Sequence, residues 1–329
     1  MSSSDRRPFP LFALLSVIVV LAVLWVGVRF QRPTSAEPSA APASQAAAEG
    51  RTVTHGQGTT VVPLKPQRVV VFDLVALDIL NALEVDVYAV AGNMFPQHLA
   101  KFGDAKYPRM GTLFEPDYEA LQAAKPDLII TGGRSSAKYP NLSRIAPTVD
   151  VPMSGKDYLA SVIANTELLA GIFGKEEKAR ELTEALRKSV AELQQVTAAR
   201  GKGLVVLVTG GRMSAYGPGS RFGVIHGDFG VPEAAEGLNI SLHGESISAE
   251  FIREKNPDWL FVIDRDAATG QKEGNARQVL DNELVRQTTA WRKGQVVYLD
   301  PATIYLTGGG IHSVKLLRDQ VASAYAQAP

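Results

Sequence analysis

The chain has 329 residues, 45% of them hydrophobic, which is enough for one or two packed cores. Its 34 basic and 34 acidic residues cancel, which argues against a nucleic-acid protein, since those carry a basic excess. With no cysteine, disulfides, thiolate metal sites, cysteine nucleophiles and a cysteine-linked lipid anchor are all excluded.

The first fifty residues read as an export segment rather than as part of the fold. Arg6 and Arg7 precede an uncharged run from Pro8 to Val28. That run is longer than the 7–15-residue core of an ordinary secretory signal and close to the roughly 20 residues that span a bilayer. A cleaved signal and a retained anchor both fit, and small-residue sites ending at Ala36 and Ala40 would permit cleavage. Residues 33–50, rich in Ala, Pro and Ser, read as a tether.

From Thr52 the pattern becomes globular. "TVTHGQGTTVVP" predicts a hairpin with Gly56 and Gly58 near its turn. "RVVVFD" predicts a buried strand, "LVALDILNALEV" a helix and "DVYAVAG" another strand. In "EPDYEALQAAKPDLIITGG" a helix precedes a strand, with Pro116 suited to the first helical turn and acids beside it favouring the helix amino end. Further on, "KEEKARELTEALRKSVAELQQVTAARG" places Leu182, Leu186, Val190, Leu193 and Val196 on one stripe. A helix of about 25 residues, roughly 38 Å long, is expected there, ended by Gly201 and Gly203. Strand and helix then alternate again through "GLVVLVTGG", "ISAEFIREKNPDWLFVIDR" and "QVVYLD" to a last helix from about Ile311.

Two stretches repeat one unit. "ALQAAKPDLIITGGR" (120–134) and "FIREKNPDWLFVIDR" (251–265) each follow an acid, Glu119 or Glu250, and each runs helix, Pro-Asp, apolar strand, arginine. Pro126 to Arg134 and Pro257 to Arg265 are both eight positions. The alternation predicts an α/β fold of two similar lobes with mostly parallel sheets, residues 51–172 and 201–329, joined by a long backbone helix over 173–200.

In an open α/β sheet, ligands bind outside the carboxyl ends of the strands, which is where Arg134 and Arg265 stand. If the lobes face each other, both arginines line one cleft. Arg221, after Gly217-Pro218-Gly219, is a third candidate for that cleft and Arg212 competes with it; Tyr216 lies between them. The Gly-Pro-Gly turn is not a phosphate loop, because it lacks the strand–glycine–helix arrangement and Pro218 removes a backbone donor. His243, before a glycine, and Tyr305, before three, also stand out, though a loop histidine is often only solvated and a tyrosine often only packed. There is no G-x-S-x-G, H-E-x-x-H or Walker loop, and the five histidines do not fall at metal-helix spacings. The pattern is that of a cationic cleft rather than a reaction centre.

These residues carry a resemblance. Through "PQRVVVFDLVALDIL", "MGTLFEPDYEALQAAKPDLIITGGR", "SAYGPGSRFGVIH", "HGESISAEFIREKNPDWLFVIDRDAA" and "VVYLDPATIYLTGGG", the chain from about Arg51 onward resembles the periplasmic siderophore-binding proteins of iron ABC transporters. It is most similar to the catecholate and petrobactin-type branch, which implies a class III binding-protein fold. The resemblance implies that Arg134, Arg221 and Arg265 meet an anionic ferric siderophore, and that His243 and Tyr305 complete iron coordination when the siderophore is tetradentate. It implies that Glu119 and Glu250, one per lobe, dock on arginines of an inner-membrane permease. It also implies a periplasmic monomer with no permanent cofactor, carrying ferric iron only as the siderophore complex.

Elementary chemistry is consistent with these expectations. Iron(III) is hard and prefers anionic oxygen, so a catecholate complex is negatively charged. Guanidinium groups stay protonated and offer forked donors and flat faces to aromatic rings. A haem, cobalamin or hydroxamate binder on the same scaffold is the alternative, and three cations disfavour it. An exported hydrolase would need a nucleophile–base pair that the sequence does not place. A purely structural envelope protein would not need the duplicated arginine.

Overall fold

The computed structural model describes residues 50–271 and 275–328, all within one compact unit; the export segment expected over residues 1–49 lies outside them. Among the described residues no helix is long and apolar enough to cross a membrane.

The described chain opens with the expected hairpin. β1 (Gly50–His55) pairs antiparallel with β2 (Gly58–Pro63), and Gly56 N–H donates to the Asp150 carbonyl at 3.0 Å. The first sheet follows. β3 (Val69–Val71), α1 (Leu74–Ala82), β4 (Ala89–Val90), α2 (Tyr118–Ala124), β5 (Leu128–Gly132), α3 (Tyr139–Leu142) and β6 (Thr148–Val151) build four parallel strands in the order β4-β3-β5-β6. Pro116 is not in the first turn of α2. Asp117 caps that helix, accepting from Ala120 N–H at 2.9 Å, so the proline stands one residue outside.

The second sheet is built from β7 (Gly203–Thr209), β8 (Arg212–Tyr216), β9 (Glu245–Ile247), β10 (Trp259–Asp264) and β11 (Val296–Tyr298), in the order β11-β10-β7-β8-β9. β10 runs parallel to β7 and β11, whereas β8 and β9 are antiparallel additions. The reversal between β7 and β8 is made by Gly210 and Gly211, both at positive φ (53° and 74°), a backbone that costs glycine little. The helical pieces of this half are α6 (Val224–Gly227), α7 (Ala249–Lys255), α8 (Arg265–Ala268), α9 (Ala276–Leu280), α10 (Glu283–Arg286), α11 (Thr289–Arg292), α12 (Pro301–Leu306) and α13 (Ile311–Gln327).

Two helices connect the sheets: α4 (Tyr158–Phe173) and α5 (Glu176–Thr197), broken at Gly174, which takes the left-handed conformation (φ 64°). α5 is the long amphipathic helix, and its 22 residues span about 33 Å. Its buried stripe is Ala179, Thr183, Leu186, Val190, Leu193 and Thr197; Leu182 is only half-buried and Val196 is 41% exposed. The threonines are accepted on the buried side because each hydroxyl bonds a backbone carbonyl, of Arg180 for Thr183 and of Leu193 and Phe229 for Thr197. Gly201 (φ 94°) turns the chain after the helix, while Gly203 already belongs to β7.

The strands are apolar on both faces, as parallel strands covered on two sides must be. Val69, Val71, Leu128, Ile130, Val205, Leu207, Trp259, Phe261 and Ile263 enter one large core shared by both sheets with α4, α5 and α13. The alternate residues enter separate outer clusters: Val70 and Ile129 in one, Leu204, Val206, Leu260 and Val262 in the other. The last helix ties the halves together. Asp78 of α1, fully buried, accepts from His312 N–H (2.9 Å) and Ser313 N–H (3.1 Å) at the start of α13, from Ser313 Oγ (2.7 Å) and from His98 Nε2 (2.7 Å). A Cβ at Gly310 would lie 2.2 Å from this carboxylate, so glycine there is what lets α13 approach α1.

The repeat is deeper than its sequence. Lys125 and Asn256 close α2 and α7 in the left-handed conformation (φ 47° and 43°), each immediately before Pro-Asp. Asp127 then accepts from the N–H groups of Gln67 and Arg68 ahead of β3 (2.7 and 2.9 Å), and Asp258 accepts from Lys202 N–H ahead of β7 (2.8 Å). In both halves the same carboxylate registers a helix–strand unit against the strand beside it.

Candidate functional site

Each sheet has one place where successive connections leave in opposite directions. In the first it lies between β3 and β5, in the second between β7 and β10. A crevice opens at the carboxyl ends of such strands. Arg134 follows β5 and Arg265 follows β10, so each arginine stands at the switch point of its own sheet.

The two meet on Tyr305. Asp300 caps α12, accepting from Thr303 N–H at 2.7 Å, with Pro301 in the first turn, and this short helix presents Tyr305 one turn on. Arg134 and Arg221 donate through Nη2 to the Tyr305 carbonyl at 3.1 and 2.7 Å. That carbonyl is near the carboxyl end of α12, where intrahelical partners run out and cations are favoured. Arg265 donates through Nε to the Tyr305 hydroxyl at 2.8 Å. The three guanidinium carbons lie 5.5, 4.3 and 5.7 Å from the centre of the tyrosine ring. An aromatic row supports it from below: Tyr216 packs edge-on against Phe222 (4.8 Å), and Phe222 lies 6.3 Å from Tyr305.

The charges act on one another. Burial, and then the neighbouring Arg221 charge, hold Arg134 below the ordinary arginine value, and it stays a cation at neutral pH. Burial works against ionising Tyr305, but hydrogen bonding and positive charge from Arg265 and Arg221 outweigh it, so the phenol is held below the usual tyrosine value. Among the described residues, none of the three arginines has a carboxylate within ion-pair distance. The site therefore presents cations with unused donor capacity, beside a phenol that ionises more easily than most. It is suited to a large anion carrying a hard metal ion.

The other sequence candidates are distributed around this centre. Tyr216 is buried beneath it. Arg212 does not bond Tyr305: it is exposed at the start of β8, paired in register with Thr209 just after the Gly210-Gly211 reversal. His243 is exposed on the turn before Gly244, whose backbone packs against the Tyr216 ring, so the histidine stands at the rim. Glu119 and Glu250 are both exposed and both are the second residue of their helices, α2 and α7. A hydrogen bond from the capping residue Ser248 lowers the Glu250 carboxyl.

Sequence reasoning missed three residues behind the arginines. Arg265 Nη1 donates to Thr209 Oγ1 at 3.0 Å, and Thr209 donates in turn to the buried carboxylate of Asp266 at 2.8 Å. Asp73, buried two residues beyond β3, lies within electrostatic reach of Arg134. Asp73 and Thr209 close the apolar runs "RVVVFD" and "GLVVLVT", so the strand-end rule that found the arginines applies to them as well. A side chain at Gly270 would come within 3.6 Å of Met94 Cε, so the loop after β4 and the loop after α8 meet.

Comparison with known proteins places this geometry. The chain is 37% identical over 313 residues to the petrobactin-binding protein YclQ of Bacillus subtilis, covering 94% of this chain and 97% of YclQ. It is 33% identical over 279 residues to the ferric-anguibactin-binding protein FatB of Vibrio anguillarum, covering 83% and 87%. The crystal structure of YclQ superposes with a TM-score of 0.82 at 38% identity, over 85% of this chain and 99% of that one. The periplasmic catecholate-siderophore binding protein VctP of Vibrio cholerae superposes with a TM-score of 0.79 at 35% identity, over 84% and 100%. A family model described as periplasmic binding protein matches residues 69–303, and the chain belongs to that family.

Proposed function

We propose that this protein captures an anionic ferric siderophore of the catecholate or petrobactin class between its two α/β halves and delivers it to an ABC importer for iron uptake. One observation carries the reading: three guanidinium groups, two of them from equivalent positions in different sheets, converge on Tyr305 with no carboxylate in ion-pair contact among the described residues. The petrobactin and catecholate ligands named for YclQ and VctP fit such a site in charge and in hard-oxygen chemistry. Its role is binding rather than catalysis, and ferric iron is its cargo.

In this reading Arg134, Arg221 and Arg265 hold the chelate, Tyr216 and Arg212 border it, and Tyr305 and His243 supply iron ligands when the siderophore leaves positions open. Tyrosinate is a hard donor, and the lowered Tyr305 phenol is already biased toward it. Both ligands must shed or lack a proton, so their contribution weakens in acid. Glu119 and Glu250 give two exposed carboxylates, one from each half, for basic residues of a permease. Residues 51–172 and 201–329 act as lobes about the 173–200 connection, exported to the periplasm as a monomer. Titrating the purified protein with ferric petrobactin, a ferric tris-catecholate, a ferric hydroxamate, haem and cobalamin, followed by tryptophan fluorescence, tests the assignment. Saturable quenching is expected with the first two, and preferential binding of any of the last three would overturn it.

A further inference from the structure

Asp73 is a buried carboxylate with a peculiar setting. It stands two residues beyond β3, at the switch point of the first sheet, and is 6% exposed. Its Oδ1 accepts from Ala76 N–H at 2.8 Å and so caps α1. The other side of the carboxylate is pressed against the two glycines that lead from β5 into Arg134. A Cβ at Gly132 would lie 2.8 Å from Asp73 Cγ, and one at Gly133 would lie 3.3 Å from Oδ2. Two charged groups of neighbouring elements lie within its electrostatic reach. One is Arg134; the other is Asp150 of β6, whose own carboxylate is occupied by Thr131 Oγ1 (2.9 Å) and Ser136 Oγ (2.7 Å). His55 of β1 feels Asp150 as well. The second sheet solves the same problem differently. There Asp266 is held by Thr209 Oγ1 and by Gly210 N–H, at 2.8 and 2.6 Å, and reaches Arg265 only through the threonine.

We propose, resting on the siderophore reading, that Asp73, packed on the two glycines that lead into Arg134, is the buried counter-charge that partly neutralises Arg134 in the absence of ligand, and that it takes up a proton when an anionic chelate replaces it in that role. The bond formed is an O–H on an Asp73 oxygen, and the proton comes from the buffer acid, which is left as its conjugate base. The reason is electrostatic. With the cleft empty, Asp73 is the anion that offsets Arg134; once the chelate's negative charge arrives, a second buried anion nearby is repelled, and neutralising it restores the balance. Burial already pushes the Asp73 carboxyl up to about 6, with the Ala76 hydrogen bond and the Arg134 charge pulling it back, so a modest further rise brings the group into the neutral range.

The test is calorimetric titration of the full chain with ferric petrobactin at pH 6.5 and 8, in two buffers of different ionisation enthalpy, for the wild type and Asp73→Asn. Asparagine is an equally good helix cap and imitates the protonated acid. If binding raises the Asp73 pKa by about one unit, the wild type takes up roughly half a proton more than the variant at pH 6.5. Asp73→Asn then binds about three- to tenfold more tightly than the wild type at pH 8. Equal proton uptake in the two proteins, or weaker binding by the variant at pH 8, would overturn the role of Asp73 and leave the siderophore reading standing. Absence of binding by the wild type would overturn both. Should Asp73→Asn fail to fold, Asp73→Ser, another neutral capping residue, makes the same comparison.

Discussion

Asp78→Ala is the substitution that most directly tests how the halves are held together. The carboxylate is fully buried and takes bonds from two backbone N–H groups of α13, from Ser313 Oγ and from His98 Nε2, all within 3.1 Å. Truncation leaves those donors without their acceptor in the shared core and removes the cap of the last helix. An orphaned buried donor costs about 1–3 kcal/mol. Two terms reduce the sum: Ser313 Oγ keeps its bond to Thr307 Oγ1 at 2.7 Å, and water can enter the small space vacated. The net loss is expected to be about 3–5 kcal/mol, the range found when one partner of a buried pair is removed. Asp78→Asn keeps an acceptor for the two N–H groups and should lose roughly half as much. Equilibrium urea unfolding, read by tryptophan fluorescence, measures both. Trp259 lies in the core shared by the two sheets, so its emission follows the transition directly. A loss below about 1 kcal/mol for the alanine variant would show that the tether contributes little and would refute this account of the interface.

Arg134→Ala, Arg221→Ala and Arg265→Ala should each weaken ferric petrobactin binding by about tenfold to a hundredfold, the worth of one charge-assisted bond, and unchanged affinity in all three would reject the cleft. Tyr305→Phe and His243→Ala should impair tetradentate ferric complexes more than hexadentate ones, with equal losses for both counting against iron ligation. Charge reversal at Glu119 and Glu250 together should spare ligand binding and abolish iron uptake by cells; normal uptake by the double variant would remove the docking role. Asp73 also has a stability signature. Its carboxyl is raised from 3.8 to about 6 in the folded protein, so the stability it contributes is complete below pH 3.8 and is lost as pH climbs through about 6. Asp73→Asn should therefore be more stable than the wild type at pH 8, by up to about 3 kcal/mol for the roughly two-unit shift, with the difference gone by about pH 3; denaturation curves at both pH values decide it.

The amino-acid pattern alone determined the repeated unit, the order of helices and strands, and the placing of Arg134 and Arg265 at strand ends. Those features are written in local terms: Pro-Asp after a helix, apolar runs of strand length, arginine directly after. It also carried a resemblance specific enough to mark Arg221 and Tyr305, neither of which local periodicity distinguishes from ordinary loop residues. What it did not contain was the pairing of elements far apart in the chain. That Arg134 and Arg221, 171 and 84 residues from Tyr305, share one carbonyl depends on two sheets packing through α4, α5 and α13. Arg212 was indistinguishable from Arg221 until the β7–β8 reversal left it exposed opposite Thr209 and off Tyr305, and Thr183 displaced Leu182 from the buried stripe because its hydroxyl found a carbonyl. Asp73, Asp78 and Asp266 are silent in sequence for the same reason. A buried carboxylate is defined by the donors and charges around it, and those are supplied only when the chain has closed on itself.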